Sequence, residues 1–274
     1  MSSILTNNSA SVALATLKSV NRGLTETQSR VSSGLQVRSG KDNAAYFAIS
    51  ETMKGDSGMF KAINEGMTST KNSVATARLG AETVSDLAEQ VVERIAFAQG
   101  DGVDKAAVQS ELDSLAANMQ SAIDQATFNG DDLVGGAAAT QTVVTGITRS
   151  GGTFGTTTMT FDSVDLQAIQ TAISGIDLTT STDLAADLVT AEGQLQNAIS
   201  ASTSLGVAEK SIEDQQNFIS SLTDTIDSGI GSMVDADMEE EAAKLQAYQV
   251  QQQLATQSLA IANQSPGNIL SLFR

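Results

Sequence analysis

The stretch from Tyr46 to Ala98 reads YFAISETMKGDSGMFKAINEGMTSTKNSVATARLGAETVSDLAEQVVERIAFA, with mostly apolar residues at alternating spacings of three and four. Only Asp56 and Thr70 interrupt this stripe, and no proline falls within it. The spacing predicts one continuous helix that keeps a single seam against neighbouring helices. At about 1.5 Å per residue this helix would be about 80 Å long. A helix of that length cannot close its own core, so the rest of the chain must supply its partners.

The composition favours helices packed through small aliphatic side chains. The chain has 274 residues, 41% of them hydrophobic, with one proline, no tryptophan and only 4% aromatic residues. Such cores are typical of coiled coils and helical bundles. The expected fold class is therefore mainly α, a long coiled-coil-like bundle formed by the N- and C-terminal segments with a small β-hairpin in the middle of the chain.

The charge distribution separates the ends from the middle. The net charge is −17, and residues 99–234 hold three basic against eighteen acidic residues, whereas residues 1–17 and 245–273 carry no charge. This acidity argues against nucleic acid and against anionic membrane surfaces as partners, because both attract basic patches. No apolar run is long enough to span a bilayer.

Enzymatic chemistry has little support in the residues present. The chain contains no cysteine and no histidine, which removes the commonest thiol nucleophile, general base and metal ligand. The acidic run from Glu239 to Glu241 at a helix start is interpreted as a solvated response to the helix dipole rather than a cation site. No catalytic, cofactor-binding or metal-binding residues are expected.

The first 180 residues predict three further helices and a hairpin. Three-four spacing from Ala10 to Val31 predicts a helix from about Asn8 to Ser33, followed by a connector between Gly34 and Gly40. Asp42 or Asn43 is expected to cap the long helix, and Asp104 the next one. Residues 140–162 are rich in threonine and glycine and predict a hairpin turning near residues 150–152, with a short helix at about residues 166–173.

The C-terminal third predicts two more helices. One begins near residues 180–183, with a joint expected at Gly229 and Gly231, and the last runs from about Asp235. This last helix carries two adjacent apolar stripes, so it needs a further neighbour beyond a single partner helix. Its seven glutamines also allow a disordered, low-complexity tail, but the heptad register favours the helix.

Several short sequences resemble those of bacterial flagellins, in the same order along the chain. They are Arg30-Val31-Ser32-Ser33-Gly34-Leu35, Ser39-Gly40-Lys41-Asp42-Asn43-Ala44-Ala45, Phe128-Asn129-Gly130, Leu205-Gly206-Val207-Ala208, Asp235-Ala236-Asp237-Met238, and Ile261-Ala262-Asn263-Gln264-Ser265-Pro266 with Ile269-Leu270-Ser271-Leu272. The resemblance covers approximately residues 1–135 and 180–274. Tyr46, where glycine is usual, and Ser232, where arginine is usual, depart from the family pattern.

The resemblance implies a structural subunit that self-assembles into the extracellular flagellar filament, the helical propeller for swimming. Residues 1–40 and 235–274 would be the paired terminal helices of an inner tube, and residues 41–135 and 180–234 a helical middle layer. Residues 136–179 are too short for an outer domain and would form a short variable hairpin region. The implied partners are other copies of the chain, an export chaperone, the filament cap and hook-junction proteins. The resemblance also implies unfolded export through the flagellar type III apparatus, which would explain why residues 1–17 lack the features of a cleaved signal peptide.

The expected polymerisation interface consists of apolar residues on the two terminal helices, which are uncharged toward the ends of the chain. They are Leu14, Leu17, Val20, Leu24, Val31, Leu245, Val250, Leu254, Leu259, Ile261 and Ile269. For any one of these, packing within a single chain is the alternative, and the lack of charge at both ends favours burial between subunits.

The family resemblance also indicates a region for innate immune recognition. Many flagellins carry Arg-Val-Arg-Glu-Leu-Ala where the vertebrate Toll-like receptor docks, and the matching stretch here is residues 91–96. Val91 and Glu93 would then replace two arginines, beside Arg94 and Ile95, which predicts weak receptor binding. The alternative is that Val91 serves the core stripe and the match is shifted by one position.

Two other classes of protein compete with the filament subunit. A flagellar hook-filament junction protein shares the paired ends, and the strength of the sequences at residues 41–45 and 235–237 favours a flagellin. A chemoreceptor-like coiled-coil signalling hairpin is also acidic and rich in heptads. It would need a membrane span or docking segment, however, and the sequence shows neither.

Overall fold

The computed structural model describes residues 7–150 and 153–271, with side chains placed for residues 7–149 and 153–264. The helices are α1 (Asn8–Ser33), α2 (Ala44–Ala98), α3 (Lys105–Gln125), α4 (Leu166–Ser174), α5 (Leu184–Val234) and α6 (Met238–Ser271). The strands are β1 (Thr127–Phe128), β2 (Asp131–Asp132), β3 (Thr140–Ser150) and β4 (Thr153–Asp162), paired as two antiparallel hairpins. The mainly α fold with a mid-chain hairpin is thus confirmed. The predicted hairpin turn at residues 151–152 lies outside the described residues.

The chain divides into two compact units by internal packing. Unit 1 comprises residues 1–55 with 225–274, and unit 2 comprises residues 56–224. Helices α2 and α5 each contribute to both units. Because both ends of the chain fall in unit 1, that unit holds all of α1 and α6.

The core of unit 2 is the predicted stripe of α2. Val74, Ala77, Ala81, Val84 and Ala88 are fully buried. Helix α5 runs antiparallel to α2, as shown by the hydrogen bond from the Arg78 side chain to Glu209 (2.8 Å) and the bond from Gln216 to the Thr68 hydroxyl (2.8 Å). Both polar contacts lie beside the apolar seam between the two helices.

Helix α3 packs on another face of α2 at a position that only glycine allows. A Cβ built on Gly80 would lie 2.5 Å from the Cβ of Ala126. Ala126 follows the last turn of α3 and is itself buried. A side chain at position 80 would therefore push α2 and the end of α3 apart.

The longer hairpin lies across α2 and α5. The Arg149 guanidinium binds the Asp56 carboxylate through two nitrogens, at 3.0 and 2.7 Å, and lies 5.8 Å from the centre of the Phe154 ring. Gln215 of α5 donates to the Thr145 carbonyl (3.0 Å), beside a bulge between Val144 and Gly146. Asp56, one of the two polar breaks in the stripe, is thus the residue that anchors the hairpin.

The seam of α2 differs from the prediction at its beginning. Tyr46 and Ile49 are each 49% exposed, whereas Ser50 is buried. Phe47, which lies off the predicted stripe, packs together with Met53 of the stripe against a cluster in unit 1 that contains Val37. A straight helix drifts by about 20° per heptad against a strict 3.5-residue repeat, so a stripe extended backwards from the core rotates out of contact.

The predicted joint at Gly229 and Gly231 is also wrong. Helix α5 continues to Val234, and Ile230 and Val234 are buried against Val37. Burial of these side chains outweighs the cost of two helical glycines, about 1 kcal/mol each. The break falls at residues 235–237 instead, and Asp237 caps α6 by accepting from the amides of Glu239 and Glu240.

Candidate assembly surface

Helices α1 and α6 form an antiparallel pair. The Asn7 side-chain amide donates to the Ala262 carbonyl (2.6 Å), and the Gln252 amide donates to the Asn21 side-chain oxygen (2.7 Å). Near the other end of the pair, Arg30 of α1 lies 3.5 Å from Glu241 of α6. The contacts run from one end of α1 to the other, so the described parts of the two uncharged segments lie side by side.

Six of the predicted interface residues line the seam between these two helices. Val20 is buried, and Leu17, Leu24, Val31, Leu245 and Leu259 are half-buried. Ala255 and Thr27 complete the buried part of the seam. These side chains pack within one chain, and half-burial leaves part of each one available to a neighbour.

The other predicted residues with described side chains are exposed rather than enclosed in the seam. Leu14 is 42% exposed, Val250 54%, Leu254 57% and Ile261 70%. With Val12, which is 65% exposed, they form what we call the exposed terminal set. Val12 lies off the three-four stripe of α1 and was missed for that reason; its place in the uncharged segment is the signal that would have found it. The side chain of Ile269 lies outside the described residues.

An open groove of about 800 Å³ runs between the two helices. Val12 and Val20 line it from α1, and Leu254, Ala255 and Ala262 line it from α6. Its walls carry no charge and combine these apolar side chains with serine, threonine, asparagine and glutamine. An apolar helix face of a partner is the complementary surface for such a groove.

The helix pair is held in register by one close approach and one buried carboxylate. A Cβ at Gly23 would lie 2.6 Å from the Tyr248 ring, so glycine lets that ring lie against α1. Glu241 is only 3% exposed and accepts from Arg30 and from Lys244. The interpretation of the acidic run as wholly solvated is therefore wrong for Glu241, because Arg30 reaches it from the other helix. Hydrogen bonds to Glu240 and then Glu241 raise the pKa of Lys244.

The connectors that follow α1 and α5 are joined to each other. Leu35 pairs with Asp235 in a single antiparallel bridge, and the Ala236 amide donates to the Gly34 carbonyl (2.9 Å). Gly34 has φ 72°, a left-handed conformation that closes α1 and favours glycine. The backbone amide of Gln36 donates to the Val234 carbonyl (2.7 Å). Two of the family-like sequences, 30–35 and 235–238, thus meet at one point.

In the turn before α2, Asp42 and Asn43 accept hydrogen bonds from different backbone amides. Asn43 caps α2 by accepting from the amides of Ala45 and Tyr46. Asp42 instead accepts from the amides of Arg38 and Ser39, each at 3.1 Å. The bond from the Arg38 amide is the main cause of the lowered pKa of Asp42.

The residues matched to the immune-receptor region occupy two different environments in unit 2. Val91 and Ile95 are fully buried. Glu93 and Arg94 are exposed, and Arg94 lies 3.3 Å from Glu111 of α3. The burial of Val91 supports the alternative that it serves the core, whereas Glu93 and Arg94 face solvent.

Other kinds of site find no support in the part of the chain that the structure describes. Across residues 7–150 and 153–271, acidic side chains do not gather in a group of three or more suited to hold a metal ion. Within the same residues, every helix is too short or too polar to cross a membrane.

Both ends of the chain match the same family of known proteins. Residues 4–139 match the bacterial flagellin N-terminal helical region, and residues 188–273 match the bacterial flagellin C-terminal helical region. A flagellin of Brucella melitensis is 36% identical over the full length of both chains. Flagellin FljM of Caulobacter vibrioides is 32% identical over 100% of this chain and 99% of its own. Flagellin C of Rhizobium meliloti is 33% identical over the full length of both.

One solved structure shares the fold at low sequence identity. A putative flagellar hook-associated protein of Vibrio parahaemolyticus is 13% identical, with a TM-score of 0.52 over 71% of this chain and 100% of that one. At this identity the likeness concerns the fold alone.

Proposed function

The chain belongs to the bacterial flagellin family, and we propose that its copies assemble through the paired terminal helices α1 and α6. As a flagellin it is a structural subunit of the flagellar filament, the extracellular propeller for swimming, and it forms a homopolymer. What we propose is the surface through which neighbouring copies contact each other in that homopolymer.

The observation that carries the proposal is the exposure of large apolar side chains on the uncharged part of α6. Leu254 and Ile261 are 57% and 70% exposed on α6, and residues 245–273 contain no charged residue. Fully burying one such side chain is worth about 1.5–3 kcal/mol. A surface of this kind is favourable when a neighbouring subunit covers it, and unfavourable when it stays in water.

The proposal extends to the arrangement of the filament. Residues 1–40 and 235–274 would form the inner tube, residues 41–135 and 180–234 the middle layer, and residues 136–179 a short variable hairpin region. We also propose unfolded export through the flagellar type III apparatus, with an export chaperone, the filament cap and hook-junction proteins as partners. These assignments follow from membership of the family and from the uncharged ends.

The direct test is electron microscopy of the purified protein after addition of salt or of short filament seeds. Long filaments of uniform diameter are expected. Salt should promote their growth, since subunits of net charge −17 repel one another and ions screen that repulsion. If the protein stays monomeric at every salt concentration and with seeds, assembly as a filament subunit is excluded for the isolated chain.

Limited proteolysis should distinguish the free monomer from the assembled polymer. In dilute monomer, a protease should trim residues 1 to about 40 and about 235 to 274, because ordering costs about 1–2 kcal/mol per residue in backbone entropy. Without neighbours, the exposed terminal set gives no burial to offset that cost. Unit 2 should survive, and polymer should be protected throughout.

The control is the same digestion at a concentration where filaments form. Equal resistance of the ends and unit 2 in dilute monomer would contradict the prediction. It would mean that the seam between α1 and α6 stabilises both helices without any neighbour.

Receptor recognition gives a separate prediction, carried by Glu93. Depolymerised protein should activate a Toll-like flagellin receptor reporter less than a flagellin with the arginine motif does. An anchoring arginine is commonly worth about 2 kcal/mol or more, roughly thirtyfold in affinity. Glu93→Arg should restore part of the response, and because Glu93 is exposed the variant should fold normally. Equal potency of the wild-type chain and the arginine-bearing flagellin would show that these positions do not decide recognition.

A further inference from the structure

The turn between β1 and β2 has an unusual backbone for a residue with a side chain. Asn129 has φ 51°, the single non-glycine residue with positive φ among residues 7–150 and 153–271, and Gly130 has φ 87°. The turn is open to solvent, since Asn129 and Gly130 are exposed and a Cβ at Gly130 would meet nothing within 4 Å. Water and buffer ions therefore reach both residues.

The same dipeptide carries a specific chemical reactivity. Asn129 is the one asparagine in the sequence that is followed by glycine. Because Gly130 has no side chain, its backbone nitrogen can approach the side-chain Cγ of Asn129 without steric hindrance. From this geometry we propose that Asn129 is a site of spontaneous deamidation, and the first asparagine of the chain to be modified.

The reaction needs only water. The Gly130 backbone nitrogen loses its proton to solvent and attacks Cγ of Asn129, the bond from Cγ to the side-chain nitrogen breaks, and ammonia leaves. The product is a five-membered cyclic imide. Water then opens the ring at Cγ, giving aspartate, or at the backbone carbonyl, giving isoaspartate with the chain continuing through Cγ. No oxidant or reductant is involved.

Several other asparagines in the chain are protected by regular structure. Asn72, Asn118 and Asn197 lie inside α2, α3 and α5. In a helix, the amide of the next residue donates to a carbonyl one turn earlier, so it cannot swing toward the side chain until several turns open. Strands β1 and β2 have two residues each, and so short a hairpin opens locally at little cost.

The modification would change the surroundings of the turn in two ways. It places a third carboxylate next to Asp131 and Asp132. The isoaspartate form also adds one atom to the backbone of a two-residue turn, which the pairing of Phe128 with Asp131 cannot accommodate unchanged. Asp131 accepts from the buried Ser73 hydroxyl of α2 (3.3 Å), so loss of this pairing would loosen a contact with the central helix.

The experiment is peptide mapping by mass spectrometry of the full-length protein during incubation in mildly alkaline and mildly acidic buffers. Conversion should appear first at Asn129 and be faster in alkali, because the deprotonated backbone nitrogen is the attacking group. Asn72 and Asn118 in the same samples are internal controls and should keep their amides. Labelling with an isoaspartyl methyltransferase should increase in parallel.

Hydroxylamine gives an independent readout, because it attacks the cyclic imide and cleaves the chain between residues 129 and 130. Wild-type protein should yield two fragments, and Asn129→Gln should yield none, since its longer side chain would have to form a less favourable six-membered ring. The proposal is overturned if Asn129 keeps its amide while others convert, if all asparagines convert at the same rate, or if wild-type protein resists cleavage.

Discussion

Leu254→Lys is expected to abolish filament assembly while leaving a soluble, helical monomer. Leu254 is 57% exposed and lines the groove between α1 and α6, so a lysine there meets water in the monomer and costs little. In an assembled subunit the same charge would be buried without a partner, at a cost of several kcal/mol. Since about 1.4 kcal/mol is tenfold in an equilibrium constant, the critical concentration should rise more than about a hundredfold.

Ile261→Asp tests whether burial or net charge is responsible. Ile261 is 70% exposed on the same helix. Lysine at position 254 makes the net charge of −17 less negative by one, whereas aspartate at position 261 makes it more negative by one. If burial is decisive, both variants should fail to polymerise. If general repulsion between subunits is decisive, only the aspartate variant should be impaired.

Leu254→Met is the matched control, because it keeps the volume and apolar character of the side chain. It should assemble at nearly the wild-type concentration. Sedimentation and electron microscopy measure assembly, and circular dichroism verifies that each monomer keeps its helices. Filaments of normal length from both charged variants would show that the exposed terminal set is not a subunit interface.

The long elements of the fold were predictable because their signals are local and repeated. The apolar spacing and flanking residues predicted α1 at the bounds observed, Asn8–Ser33, and the capping residue of α3, Asp104, accepts from the amides of Ala106 and Ala107. Each such signal depends on residues within one or two turns. No tertiary contact is needed to recognise it.

The predictions were wrong where contacts with residues remote in the sequence determine the local structure. Glycines 229 and 231 are helix breakers locally, but the burial of Ile230 and Val234 against Val37 keeps the helix intact. Asp56 reads as a flaw in an apolar stripe until Arg149, 93 residues away, is seen to bind it. Glu241 reads as solvated until Arg30 reaches it from α1. In each case the partner is remote in sequence, and a periodicity argument carries no information about it.

The sequence indicated which two helices form the candidate surface, but not which of their residues are exposed on it. The absence of charge in residues 1–17 and 245–273 indicated the two helices concerned. It could not separate Leu17, which is half-buried in the seam, from Val12, which is 65% exposed. Which side of α1 faces α6 depends on the crossing of the two helices, and that is fixed by contacts such as Gly23 with Tyr248.

Gly80→Val is expected to destabilise unit 2 by about 3 kcal/mol, because inserting a side chain into a packed core commonly costs about 1–3 kcal/mol and valine is both branched and confined here. The neighbour is the Cβ of Ala126, at 2.5 Å from a Cβ at position 80. An alanine methyl group is attached directly to the backbone, so it cannot rotate away. Relief requires the end of α3 to move, which would also disturb the buried Ile123 and Met119 on the same helix.

Gly66→Val in the same helix is the matched control for this substitution. Gly66 is exposed, and a Cβ there would meet nothing within 4 Å. Valine is a slightly better helix former than glycine, so Gly66→Val should leave stability unchanged or raise it by a few tenths of a kcal/mol. Thermal unfolding followed by circular dichroism should therefore show Gly80→Val melting about 6–12 °C below the wild-type protein, with Gly66→Val at or just above it. Equal melting temperatures for the two variants would mean that α3 does not pack against α2 at Gly80 in solution, since the two substitutions differ only in what surrounds the new side chain.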